Sequence, residues 1–175
     1  MKKCDVVEKE LLDSLDIPEM STVCFVCTGN TCRSPMAAAL FNHLAKGKQM
    51  RAISAGIYAI PGSAIADNAV EALKRAGVVE TPDNRYTAHV AQNITAEMIK
   101  IADRVICMTA DHALNLIGVF PQYVGKISTF RKDLADPYGG DLELYQKCLR
   151  QIKEEIQSAF PALYRENKED SIDDD

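Results

Sequence analysis

Cys27-Thr28-Gly29-Asn30-Thr31-Cys32-Arg33-Ser34-Pro35 places a thiol and a guanidinium at the two ends of one short segment. The apolar run Thr22-Val23-Cys24-Phe25-Val26 before it reads as a buried strand, and a helical pattern starts near Pro35. The segment therefore sits at a strand-to-helix turn, where backbone N–H groups converge and the helix N-terminus adds partial positive charge. That is a receptor for a phosphate dianion, and the same field favours the thiolate form of Cys27. Gly29 and Asn30 are the residue types that tolerate positive φ, which lets a loop turn successive N–H groups inward. Arg33 offers a planar fork for two phosphoryl oxygens and never loses its proton. Ser34 can hydrogen-bond the Cys27 thiolate or cap the helix, and Pro35 suits a first helical turn.

Other readings of the segment are weaker. No Gly-Lys-Ser/Thr follows, and no dinucleotide glycine pattern is present, so a nucleotide loop is disfavoured. Cys24 and Cys27 form a C-x-x-C pair, but residues three apart in a strand face opposite sides and no second ligand pair is suitably spaced. No metal and no cofactor are expected, and Cys24 reads as core. Cys32 lies five residues beyond Cys27 in a curled loop, which brings its sulfur within disulfide reach and makes it a candidate redox partner.

The loop resembles the C-x5-R-S signature of the low-molecular-weight protein tyrosine phosphatases. Asp136-Pro137-Tyr138-Gly139 resembles that family's general-acid loop, and Ser54-Ala55-Gly56, Ala88-His89-Val90-Ala91 and Ala102-Asp103 agree in order. The resemblance runs from about Thr22 to Tyr164. It implies a phosphate-binding loop of Thr28, Gly29, Asn30, Thr31, Cys32 and Ser34, a supporting network that joins Asn30 and Ser34 to Ser54 and His89, and a place for Tyr138 in the substrate cleft. It also implies Cys27 as nucleophile, Arg33 as phosphate clamp and Asp136 as general acid and base, with a phosphocysteine intermediate. On composition alone Asp136 to Gly140 is an ordinary turn; the Cys-Arg loop raises it to a candidate acid loop, with hinge-like freedom at Gly139-Gly140. Asp111 and His112 read as the start of a helix.

Within that family, tyrosine-directed members commonly carry an aliphatic residue where this chain has Thr31, and often an aromatic where it has Gly139. The protein-arginine phosphatase branch carries Thr and Gly. Phosphoarginine is therefore favoured over phosphotyrosine, with a tyrosine phosphatase proper as the alternative. A thioredoxin-coupled arsenate reductase would need two further paired cysteines, and Cys107 and Cys148 fall in an apolar strand and a helix. A non-catalytic phospho-residue binding module would be expected to lack the nucleophile or the acid.

These groups need a scaffold, and βα alternation supplies it. Strands are expected at Thr22–Val26, Arg51–Ala55, Arg104–Met108 and Lys126–Phe130, and helices at Pro35–Lys46, Ala64–Ala76, Thr95–Ala102, Ala110–Val119 and Asp141–Tyr164. The implied fold is single-domain three-layer α/β/α, with a central four-stranded parallel sheet and the phosphate-binding loop after strand 1. Val79 to Gln92 is read as a loop crossing beside the site.

Length, composition and charge bound the rest. A chain of 175 residues, 47% hydrophobic, suits one phosphatase domain over residues 21–165. Residues 1–20 form an extension in which Val7, Leu11 and Leu15 suggest a short helix. Residues 166–175 hold six acids and one lysine, a net of −5 equal to that of the whole chain, and read as a disordered tail. There is no basic stripe for nucleic acid, no membrane span and no secretory pattern. A site built on a reactive thiol calls for a reducing compartment, so a cytoplasmic location is expected. The resemblance implies phosphorylated protein substrates as partners, with inorganic phosphate as product.

Overall fold

The computed structural model describes residues 20–165; the expected amino-terminal helix, except for Met20, and the acidic tail lie outside the described residues. Four strands, β1 (Ser21–Cys27), β2 (Met50–Gly56), β3 (Arg104–Cys107) and β4 (Ile127–Thr129), form one parallel sheet in the order β2-β1-β3-β4. Among the described residues, five α-helices accompany them: α1 (Arg33–Leu44), α2 (Asp67–Arg75), α3 (Ala96–Ile101), α4 (Ala110–Val119) and α5 (Leu142–Ala159).

The central strand β1 is apolar on both faces because both are covered. Val23, Phe25 and Cys27 point into a core shared with α1, α2 and α5, while Cys24 and Val26 point into a second core with α3 and α4. Phe25 packs between Phe41 and Phe130, with ring centroids 5.8 and 5.9 Å away, and Phe41 meets Phe160 edge-on at 5.1 Å. This is the three-layer α/β/α arrangement that the alternation implies.

Element ends differ from the expected ones for local reasons. The last helix stops at Ala159 because Pro161 disfavours helical geometry at Phe160, whose φ is −134°; a short turn, Pro161–Tyr164, follows. Helix α2 begins at Asp67 rather than Ala64, since Ala66 is extended and Ala64 bridges Val90. Helix α1 begins at Arg33, which puts the guanidinium in the first helical turn.

One topological fact matters for the site. The chain leaves β1 toward β2 on one side and returns to β3 on the other, so the connections after β1 and β3 part at the carboxyl edge and open a crevice there.

Candidate active site

The loop from Cys27 to Arg33 turns on Asn30. Asn30 is fully buried with φ at 55°, the left-handed region that asparagine reaches more cheaply than most residues. Gly29, expected to share that role, does not have positive φ, and a Cβ there would meet only Thr31 Oγ1 at 3.8 Å. The glycine the loop requires is Gly56, at the end of β2. A Cβ on it would lie 2.5 Å from Thr28 O and 3.1 Å from Asn30 N.

The side chain of Asn30 holds the loop from within. Its Nδ2 donates to Ser34 Oγ at 2.9 Å and Ser54 Oγ at 3.0 Å, while Oδ1 accepts from Gln92 N at 3.0 Å. The Asn30 carbonyl accepts from His89 Nε2 at 2.8 Å. Because a carbonyl only accepts, His89 carries its proton on Nε2, and burial lowers its pKa. The end of the 79–92 segment, His89 and Gln92, thus lies beside the loop as expected, whereas Val79, Thr81, Asp83 and Asn84 line a groove along β2. Gln92 joins the network through its backbone N–H, and its Nε2 donates to Ser54 O at 3.2 Å.

Cys27 is buried at the floor, with Sγ 2.9 Å from Ser34 Oγ. Ser34 does not cap α1, since it lies inside the first turn; its hydroxyl reaches Cys27 and, at 3.3 Å, Ala55 O. Cys24 belongs to the opposite core, where burial pushes its thiol pKa up to about 12. Cys32 Sγ lies 3.2 Å from Tyr145 OH and 3.6 Å from Thr31 Oγ1, and burial raises its pKa also.

Arg33 is buried and held from behind. Nη1 donates to Leu134 O at 2.9 Å, Nη2 lies 3.2 Å from Asp136 Oδ2 and 3.5 Å from Thr28 Oγ1, and Nε has no partner among the described residues. Leu134 N in turn donates to Met108 O at 3.0 Å, which ties the segment to the end of β3. Farther down, the buried Glu155 of α5 accepts from Arg131 N at 2.9 Å. These contacts fix the base of the Asp136 loop while the Asp136 side chain stays half exposed.

Gly139-Gly140 is a closed turn rather than a loose hinge. Gly139 has φ at 75°, Gly140 N donates to Pro137 O at 2.9 Å, and a Cβ on Gly140 would lie 2.5 Å from Leu144 Cδ1.

Cys27, Thr31, Arg33 and Asp136 converge on one cleft of about 410 Å³, with Tyr58 and Tyr138 at its exposed rim. Tyr58, not singled out from sequence, accepts at its hydroxyl from Asn115 Nδ2 at 3.0 Å. Ser54 and His89 stand behind the loop, outside the cleft lining. A larger groove of about 700 Å³ runs along β2 past His43, Lys46 and Arg51, away from the thiol.

His112 is more than a helix-start residue. Its Nε2 lies 2.8 Å from Thr28 Oγ1, inside the site. No linear pattern marks it: β1 and β3 become neighbours only in the folded sheet, and that pairing turns the residues after β3 toward the loop after β1.

Fold and cleft together define a class: a doubly wound α/β protein with a cysteine and an arginine on one loop at the point where strand order reverses. The chain belongs to the low molecular weight phosphotyrosine protein phosphatase family, whose model matches residues 22–169. It is therefore a cysteine-dependent phosphatase by family. Its relatives include a protein-arginine-phosphatase of Bacillus subtilis, 34% identical over 85% of this chain and 97% of the relative. A protein-arginine-phosphatase of Geobacillus stearothermophilus is 35% identical, over 81% of this chain and 92% of that one. A probable low molecular weight protein-tyrosine-phosphatase of Ralstonia nicotianae is 29% identical over 82% of this chain and 97% of the relative. Among solved structures, a YwlE mutant from Bacillus subtilis superimposes with a TM-score of 0.74 at 32% identity, covering 83% of this chain and 99% of that one.

Proposed function

We propose that this chain hydrolyses phosphorylated protein side chains through a phosphocysteine, with phosphoarginine preferred over phosphotyrosine. The observation that carries the mechanism is the convergence of Cys27, Arg33 and Asp136 on one cleft. Cys27 Sγ attacks phosphorus in line; the S–P bond forms as the P–N or P–O bond breaks, and Asp136 gives its proton to the departing nitrogen or oxygen. Arg33 and the loop amides carry the charge on the equatorial oxygens, and Asp136 exchanges its contact with Arg33 Nη2 for the leaving group. Water, deprotonated by Asp136, then cleaves the S–P bond and frees inorganic phosphate.

Two observations favour phosphoarginine: Thr31 lines the cleft where a small hydroxyl can meet a guanidinium, and the relatives named above include two arginine phosphatases. The arsenate-reductase reading has little support, since burial pushes both Cys107 and Cys148 up to about 12. A reducing, cytoplasmic compartment belongs to the same proposal, because the chemistry needs a free Cys27 thiol.

The test is steady-state phosphate release from phosphoarginine and phosphotyrosine peptides, with Cys27→Ser and Thr31→Ile alongside. Cys27→Ser should abolish turnover of both and keep oxyanion binding. Thr31→Ile should lower kcat/KM for phosphoarginine about ten- to a hundredfold relative to phosphotyrosine, the worth of one hydrogen bond to a charged group. Equal losses on both substrates would make Thr31 a shaping residue and phosphotyrosine the preferred substrate.

A further inference from the structure

We propose that His112 is a positioning residue for phosphoryl binding: its Nε2–H, donated to Thr28 Oγ1, turns the Thr28 hydroxyl hydrogen toward the oxygens of a phosphoryl group held at Arg33. The inference rests on the phosphatase reading of the cleft and adds a residue to it.

The placement of His112 is set by backbone contacts. Met108 N donates to Val26 O at 2.9 Å, which registers the end of β3 against β1. Thr109 Oγ1 then caps α4 by accepting from His112 N at 3.2 Å, and Asp133 Oδ1 accepts from Ala110 N at 2.8 Å. The imidazole is carried on this fixed first turn to within 2.8 Å of Thr28 Oγ1.

The direction of that hydrogen bond follows from what surrounds it. His112 Nδ1 is buried with no partner among the described residues. A proton there would be an orphaned buried N–H, which is costlier and rarer than an unfilled lone pair, so the proton sits on Nε2. Arg33 Nη2, 3.5 Å from the same hydroxyl, can only donate as well. A hydroxyl has two lone pairs and one hydrogen; with both lone pairs engaged, Thr28 has only its hydrogen left to give. Thr28 lines the cleft beside Cys27 and Arg33, where a phosphoryl oxygen is the acceptor.

The charged groups around His112 are Arg33, Asp136, Asp111 and Asp133. Burial, and next the Arg33 charge, lower its pKa, which keeps it a neutral single donor rather than a second cation.

The experiment measures inorganic phosphate binding by calorimetry, together with kcat/KM, in His112→Ala, Thr28→Val, the double variant, His112→Gln and His112→Asn, with melting curves run on each. His112→Ala and Thr28→Val should each weaken phosphate binding about tenfold, and the double variant should be no weaker than Thr28→Val alone. His112→Gln, whose amide can reach the Nε2 position, should recover binding to within about threefold, whereas the shorter His112→Asn should not. Penalties that multiply in the double variant, or an Asn variant as good as Gln, would overturn the proposal even if His112→Ala folds poorly. Wild-type protein that binds phosphate but turns over neither peptide would strike the proposed function alone, since the binding cycle reads the His112–Thr28 coupling without turnover.

Discussion

Replacing Asn30 separates the two things that this residue does. Asn30→Ala removes the acceptor of Gln92 N and both donors to Ser34 and Ser54, and it puts a Cβ residue without a helpful side chain at φ of 55°. A buried N–H left without a partner costs about 1–3 kcal/mol and each lost hydrogen bond about 0.5–1.5 kcal/mol. The left-handed backbone adds about 1 kcal/mol for alanine, so with the two bonds to Ser34 and Ser54 the total is about 3–7 kcal/mol. Asn30→Gly loses the same hydrogen bonds but accepts the backbone, and should recover about 1 kcal/mol of that loss. Urea unfolding of the two variants beside the wild type reads the difference directly, with slopes compared to verify two-state behaviour. Both variants should also lose kcat/KM steeply, because Ser34 is left free to swing from Cys27 and the loop amides lose their common anchor. A glycine variant no more stable than the alanine one would refute the strain argument. An alanine variant within about 1 kcal/mol of wild type would refute the hydrogen-bond argument.

Asp136→Asn should slow the phosphorylation step with poor leaving groups by about 10²–10⁴-fold and spare activated aryl phosphates; rapid-quench rates that fall equally for both would make Asp136 structural. Mild peroxide should oxidise Cys27 to the sulfenic acid, which the Cys32 thiol displaces to give a disulfide and water; peptide mapping that pairs Cys27 with Cys24 instead would reject Cys32 as the partner. Burial lowers the His89 pKa, so the unfolded chain binds the proton first as pH falls. Stability is then fully present above the ordinary histidine value of about 6.5 and declines as pH drops toward the lower folded value. Denaturant titrations across that range should show a shallower decline for His89→Gln, and an unchanged slope would assign the effect to other groups.

Much of the site was legible because its chemistry is local in sequence. Cys27, Asn30, Arg33 and Ser34 lie within one turn between a strand and a helix, so residue types alone point to the anion receptor with a thiol in it that is proposed here. The strands were legible for a related reason: a parallel sheet covered on both faces demands continuous apolar runs, and β1 supplies one. Tertiary structure decided what depends on which elements become neighbours. Gly56 is needed, and Gly29 is not, because β2 lies against the back of the loop. His112 reaches Thr28 because β3 pairs with β1 on the side opposite β2. The Leu134 carbonyl meets Arg33 across 101 residues of chain. A linear pattern records the period of one element, while a hydrogen bond between loops depends on strand order and register, which are set only when the whole sheet forms and buries both of its faces.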